Sequence, residues 1–149
     1  MRIKKLVGLT LAVGAAIVFV VSGTLYAGGS EPSGAKVTTL MQKPLPDLPG
    51  KEFLIRMIEF APGHIDTAHR HDAHVFVYVL EGTIEMQVKD GQPVTLKAGG
   101  TFYENPDDVH PLGRNLSKTR PAKFLVFFVK DQNTPAVLPV TKKAGSAVN

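Results

Sequence analysis

The chain has 149 residues, 44% of them hydrophobic, with no cysteine and a formal net charge of +4. Three of the 17 basic residues (Arg2, Lys4 and Lys5) lie at the N-terminus, where no acidic residue occurs, so the rest of the chain carries only about +1. This balance, without a basic patch interleaved with aromatic residues, excludes a nucleic-acid-binding surface, and the absence of cysteine excludes disulfides and thiolate metal ligands.

The first 27 residues have the pattern of an export signal, a basic start followed by an uncharged apolar run over residues 6–27. The run is also long enough for a membrane-spanning helix, which needs roughly 20 residues. We therefore predict an N-terminal hydrophobic helix that is either a cleaved signal peptide or a retained anchor. The protein is expected to be exported to the periplasm or another extracytoplasmic space, with membrane contact only through this segment.

Composition divides the remaining chain into three parts. Residues 28–50 are rich in glycine, serine and proline and are expected to form a flexible linker or arm. Residues 51–131 are expected to form the folded domain. Residues 132–149 are expected to form a C-terminal tail, because prolines again interrupt the sequence there.

Short strand patterns recur through the central part, and helical periodicity is weak there. Alternating or fully apolar runs predict strands over residues 52–60, 75–80, 83–88, 93–97, 101–104, 109–112 and 123–130, with a hairpin turn at Asp90-Gly91. Many short strands between closely spaced turns predict an all-β sandwich or barrel. The runs VFVYVL and FLVFFV are apolar on both faces, which predicts that both strands are covered on both sides.

Histidines are concentrated in one segment. His64, His69, His71 and His74 lie within eleven residues. Residues two apart in a strand share a face, so His69 and His71 can direct their rings into one cavity, as half of a metal site requires. The alternative is that the pair forms a polar rim on a strand. His64, which follows Pro62-Gly63, is expected to be exposed to solvent.

Two longer segments give the histidines a context. Gly63, the HxH of His69 and His71, and the run YVLEG ending at Gly82 are followed downstream by GGTFYENPDDVHPLGRN, which contains His110. Together they resemble the two signature motifs of the cupin superfamily. The resemblance implies a double-stranded β-helix, or jelly-roll barrel, holding one divalent transition metal per chain (Fe, Mn, Ni, Cu or Zn) through His69, His71 and His110.

The sequence departs from the cupin pattern at one ligand position. Val75 stands where the superfamily has a glutamate, and His74 is one place early. Strand alternation directs His74 away from the other two histidines, but a bulge at Asp72-Ala73 could turn it inward as a fourth ligand. Glu104 is the other candidate. It is expected either to complete the ligand set or to influence the ligands without binding the metal itself.

Two functions follow from the resemblance. The first is an exported metal-dependent dioxygenase acting on a small organic substrate. The second is a non-catalytic periplasmic module that binds a metal or a small ligand, since one fold serves both. No catalytic acid or base is assigned from the sequence, and it contains no serine-hydrolase, phosphate-loop or dinucleotide-binding motif. A homodimer is a further expectation from the resemblance.

Overall fold

The computed structural model describes residues 34–106 and 108–140, and all regular elements in these ranges are β-strands. The all-β prediction is therefore confirmed. The predicted N-terminal helix lies outside the described residues, and no helix within them has the length and hydropathy to cross a membrane. The strands are β1 (Ala35–Pro44), β2 (Lys51–Phe60), β3 (His69–Arg70), β4 (Ala73–Glu81), β5 (Thr83–Gln87), β6 (Val94–Lys97), β7 (Thr101–Glu104), β8 (Val109–His110), β9 (Leu112–Asn115), β10 (Ala122–Asp131) and β11 (Leu138–Pro139).

The strands form one large sheet and two small ones around a single core. The large sheet has the order β1-β2-β10-β4-β7, and the small sheets have the orders β6-β5-β9 and β11-β3-β8. Alternate residues of β4, among them Val75 and Val77, lie in one buried cluster with Ile84 and Met86 of β5 and with Phe128 of β10. These inward side chains hold the barrel together because each strand presents every second residue to the same interior.

The outer face of β4 is open to solvent. Phe76 is 46% exposed and Tyr78 is 43% exposed, whereas Val75 and Val77, which alternate with them along the strand, are buried. The prediction that VFVYVL is covered on both sides is therefore wrong. The equivalent outward residues of β10 are half-buried.

Segments on either side of the central domain also supply strands. Residues 35–44, in the segment expected to be a linker or arm, form β1 and pair with β2 in antiparallel register. Residues 138–139, in the expected tail, form β11 and pair with β3, where Pro139 lies opposite His69. Both segments consequently reach the part of the barrel that holds the histidines.

One buried ion pair joins the first residues of β2 to the last residues of β10, its neighbour in the large sheet. Lys130 Nζ lies 2.6 Å from Glu52 Oε1, and the amide of Gln42 donates to the same carboxylate at 2.9 Å. Lys130 and Glu52 are buried. Lys130 also donates to the Thr134 hydroxyl at 3.2 Å, so each charge has several hydrogen bonds.

Replacing Lys130 with methionine is expected to lower the free energy of unfolding by about 3 kcal/mol or more, because Glu52 is left buried without its counter-ion. Urea denaturation measures the change. Lys36→Met at the exposed Lys36–Glu59 pair is the matched control, for which a loss below about 1 kcal/mol is expected. An equal loss in the free energy of unfolding in the two variants would contradict the conclusion that burial makes the Lys130–Glu52 pair important for stability.

Candidate metal centre

Strand pairing brings three histidines together inside the barrel. His69 and His110 are direct partners in the β3–β8 pairing, and their ring centroids lie 5.0 Å apart. The His71 ring lies 4.9 Å from the His69 ring. All three side chains are buried. His69 and His71 therefore face the same space as His110, which lies some forty positions later in the sequence.

Backbone carbonyls fix the orientation of two of the rings. His69 Nδ1 lies 2.8 Å from the carbonyl oxygen of Thr67, and His71 Nδ1 is hydrogen-bonded to the carbonyl oxygen of Ala136. A carbonyl only accepts, so each Nδ1 carries the proton and donates it. Each Nε2 is left as the lone-pair nitrogen, which is the form that binds a metal.

Glu104 lies between two of the histidines. Its Oε2 is 3.7 Å from His71 Nε2 and its Oε1 is 3.9 Å from His110 Nδ1. These distances are too long for hydrogen bonds, and Glu104 Oε2 and His110 Nδ1 are buried without a hydrogen-bond partner among the described residues. A buried unsatisfied polar atom costs about 1–3 kcal/mol, and two such atoms facing one space form an arrangement that a shared cation would satisfy.

Burial sets the charge state of the cluster. It raises the pKa of Glu104 to about 7, with a smaller contribution from the negative charge of Asp108. Burial also lowers the pKa of His71 to about 4 and, with the charges of His69 and His71 adding to it, the pKa of His110 to about 3. His71 and His110 are therefore neutral at pH 7, as metal ligands must be.

His74 does not lie with the other three histidines. It is exposed on the outer face of β4, where its Nδ1 lies 2.7 Å from the Tyr103 hydroxyl and its ring stacks on that of Tyr103. Its neighbours Ala73 and Val75 are buried, so the strand keeps its alternation and no bulge turns His74 inward. The suggestion that His74 is a metal ligand is wrong.

The β4–β7 pairing explains how a carboxylate reaches the site without a glutamate at position 75. Val75 and Glu104 are direct partners in this register, and both side chains are buried. Directly paired residues on one face of an antiparallel sheet have Cβ atoms about 5 Å apart. Glu104 therefore presents its carboxylate beside the place where the cupin pattern has its glutamate.

His64 is also placed differently from the expectation. It is buried rather than exposed, packs on Phe60 with ring centroids 4.5 Å apart, and has its Nε2 3.3 Å from Asp66 Oδ1. Sequence reasoning did not single out Asp66 or Arg56, which line the cavity together with the histidines. The sequence does contain a signal for Arg56, because strand alternation places this residue on the same face as Leu54 and Ile58.

The cavity is small and mostly apolar. Its volume is about 60 Å³. Arg56, Asp66, Glu104 and the three histidines occupy one part of its wall. The rest is apolar and includes Ile58, Val77, Met86, Phe124, Val126 and Phe128. Because one water molecule needs roughly 10–15 Å³ by the same kind of measure, the space suits an ion and a ligand of a few heavy atoms.

The donor set fits a transition metal. No group of three or more histidine, aspartate or glutamate side chains in the described ranges is drawn together as closely as the ligands of a bound ion. Two ligands held about 2.1 Å from an ion at a tetrahedral angle are roughly 3.4 Å apart. The separations of Glu104 from His71 and His110 exceed this by only a few tenths of an ångström, so small side-chain shifts would bring Glu104 to ligand spacing with each of these two histidines.

Gly113 leaves room for the His110 ring. A Cβ atom at Gly113 would lie 2.9 Å from His110 Nε2. We expect Gly113→Ala to displace this ring and weaken metal binding about ten-fold, a loss typical of disturbed ligand orientation. A competitive titration with a chromophoric chelator measures it. Gly50→Ala, which strains a turn with open space around it, is the control, and an equal loss of affinity there would contradict the interpretation.

Comparison with known proteins supports the fold. The family model described as "Cupin domain" matches residues 56–128. No protein in the curated set matches the chain. Among solved structures, a cupin superfamily protein from Desulfitobacterium hafniense is 14% identical with a TM-score of 0.54, covering 69% of this chain and 84% of its own.

Two enzymes of known structure are similar as well. Oxalate oxidase in complex with the substrate analogue glycolate is 24% identical with a TM-score of 0.56, and the match covers 85% of this chain and 66% of the oxidase. The polyketide cyclase RemF from Streptomyces resistomycificus is 21% identical with a TM-score of 0.56, covering 76% of this chain and 75% of the cyclase. At these identities the likeness shows a shared fold.

Proposed function

The chain belongs to the cupin superfamily, and from this premise we propose that it binds one divalent transition metal per chain through His69, His71 and His110, with Glu104 as the fourth ligand. The observation that carries the proposal is the pair of unsatisfied buried atoms, Glu104 Oε2 and His110 Nδ1, which face the same space as two histidines with fixed rings. A cation there would satisfy both atoms at once.

The ligand set limits the choice of metal. Three imidazoles and one carboxylate suit Fe, Mn, Ni, Cu or Zn better than Mg or Ca. Such an ion supplies Lewis acidity and, when redox-active, electron transfer. The protein contributes orientation, because the carbonyl oxygens of Thr67 and Ala136 hold the His69 and His71 rings, and it contributes a largely apolar cavity that limits access of water.

We propose further that the protein is a metal-dependent oxygenase acting on a small organic substrate. Support comes from the largely apolar cavity wall beside the candidate ligands and from the enzymes among the similar structures. The N-terminal pattern of basic residues and an apolar run supports export, so we place this activity outside the cytoplasm.

A non-catalytic binding module is the second candidate. The small cavity favours it, because an ion and one ligand would nearly fill the space and leave little room for a second reactant. A binding module that holds a metal uses the same metal centre as the oxygenase, so those two candidates differ in turnover.

Metal analysis and oxygen uptake on the purified full chain test these proposals. An oxygenase should carry about one redox-active ion per chain and consume oxygen when a small organic acid or alcohol is added. Tightly held zinc without oxygen uptake would favour the binding module. Failure to take up any of the five metals, in a protein shown to be folded by circular dichroism, would contradict the metal centre itself.

A further inference from the structure

The outer face of the large sheet is apolar from one edge strand to the other. One row of its register runs from β1 to β7 through Met41, Ile55, Phe127, Phe76 and Tyr103. The next row is also apolar or aromatic on β2, β10 and β4. Met41, Phe76 and Tyr103 are between 42% and 46% exposed. We call the outward side chains of these five strands the outer sheet face.

The outer sheet face has the size of a stable protein interface. Four of its five strands have nine or ten residues. Strands lie about 4.8 Å apart and rise about 3.4 Å per residue, so the face spans roughly 24 by 30 Å. The resulting area of roughly 700 Å² is close to the 800 Å² or so that each partner buries in a standard interface. Its aromatic residues and methionines are types enriched in interfaces.

A row of charges borders the apolar rows, and the order of its signs is self-complementary. From β1 to β4 the row consists of Lys36, Glu59, Lys123 and Glu81, each paired in register with the next. The ion-pair distances along the row are 3.1 Å, 3.6 Å and 3.5 Å. Because the signs alternate, a two-fold axis that runs along the strands between β2 and β10 puts every charge opposite the other sign. Glu59 then faces Lys123 of a second copy, and Lys36 faces its Glu81.

We propose that the outer sheet face is a homodimer interface in which two copies of the chain pack face to face about this axis. A two-fold interface uses the same patch on both copies, so the patch must be complementary to itself. The charge row meets this requirement. Sheets packed face to face lie about 10 Å apart, a space that the outward aromatic and aliphatic side chains of both copies fill.

The proposed interface is independent of the metal centre. Phe76 points outward from β4, whereas its neighbour Val75 points into the barrel, where it pairs with Glu104. The three histidines proposed as ligands are likewise buried inside the barrel. Loss of the dimer should therefore leave the metal content of the chain unchanged.

Phe76→Arg tests the interface in the full chain, kept in a mild detergent because of the apolar run over residues 6–27. Phe76 is exposed, so its replacement spares the core but places a charge within the apolar row. In sedimentation velocity, wild type should be a dimer at micromolar concentration, and Phe76→Arg should dimerise about a hundred-fold more weakly. Val94→Arg, at a similarly exposed residue of β6, is the matched control and should remain dimeric.

Two charge reversals test whether the partner is a second copy in this orientation. Glu59→Lys and Lys123→Glu each place like charges opposite one another in a homodimer, so each variant alone should dimerise about ten-fold more weakly than wild type. In an equimolar mixture, positions 59 and 123 carry opposite charges across the interface. Mixed dimers should therefore form with nearly wild-type affinity, as measured by capture of untagged Lys123→Glu on tagged Glu59→Lys.

The outcomes distinguish the possible occupants of the outer sheet face. A wild type that stays monomeric at every concentration would overturn the proposal, and vesicle binding by that monomer that is lost in Phe76→Arg would assign the face to a lipid surface. A dimer that Phe76→Arg leaves intact would place association in another part of the chain. Absence of mixed dimers, with both charge variants folded by circular dichroism, would overturn the two-fold arrangement.

Discussion

Replacing both His69 and His71 with alanine is expected to abolish metal binding, from about one ion per chain in wild type to less than about a tenth of that. The double substitution removes two of four ligands, and the remaining pair, His110 and Glu104, cannot enclose an ion. Inductively coupled plasma mass spectrometry after dialysis against excess metal measures the loss. The thermal stabilisation that added metal gives to wild type should vanish as well.

His74→Ala is the matched control for the double substitution. His74 belongs to the same cluster in the sequence but lies on the exposed outer face of β4, so its replacement should leave metal content unchanged. Circular dichroism establishes that the double variant is folded, since His71 also holds a hydrogen bond to Ala136. Unchanged metal content in a folded double variant would refute the site.

Replacing Glu104 with glutamine should weaken metal affinity about ten- to a hundred-fold and reduce the dependence of that affinity on pH. Burial raises the pKa of Glu104 to about 7 in the metal-free protein, so below pH 7 a proton must leave before the carboxylate binds the ion. Affinity of the wild type should therefore rise about ten-fold per pH unit from about pH 5 and level off above pH 7. His71 and His110, with pKa values of about 4 and 3, are already deprotonated in this range.

Calorimetry in buffers of different ionisation enthalpy measures the proton released on binding. At pH 6, Glu104→Gln should release about one proton fewer per bound ion than wild type does. Equal proton release in the two proteins would show that another group is responsible. The exposed Glu81→Gln variant, also on the large sheet, is the matched control and should behave like wild type.

A double substitution tests whether a carboxylate can bind the metal from either of the paired positions 75 and 104. Because Val75 and Glu104 are paired directly and both are buried, exchanging them as Val75→Glu with Glu104→Val returns a carboxylate to nearly the same space. The exchanged protein should recover most of the affinity that Glu104→Val alone loses. If the folded double variant does not recover metal affinity, the carboxylate binds the metal only from position 104.

The sequence predicts the strands and the shared face of the histidine pair because both depend on local alternation. Val75 and Val77 point inward, while Phe76 points outward, as a regular strand requires. The same rule places His74 outside, and only an assumed bulge could bring it in. The placement of Glu104 cannot be predicted in this way, because it depends on the register between β4 and β7, in which Glu104 pairs with Val75, 29 positions earlier in the sequence. Local alternation cannot supply that register.

Other features depend on contacts that no local pattern contains. His64 follows a Pro-Gly turn, which is typical of exposed residues, yet it is buried against Phe60 and Gly34, and the latter lies in a segment that composition alone assigns to a linker. Arg56 could have been recognised from its place between two inward apolar residues. A charged residue at such a position is a reason to look for an anion or an ion pair.

The hydrogen bond between His71 and Ala136 also determines when this centre can first exist. The two residues are 65 positions apart, and β11, which follows Ala136, pairs with β3 beside His69. A growing polypeptide that ends before residue 136 contains every proposed ligand, but the His71 ring lacks the carbonyl that orients it. If the proposed centre is correct, metal acquisition is tied to completion of the barrel, and an unfinished or clipped chain should bind ions weakly and without selectivity.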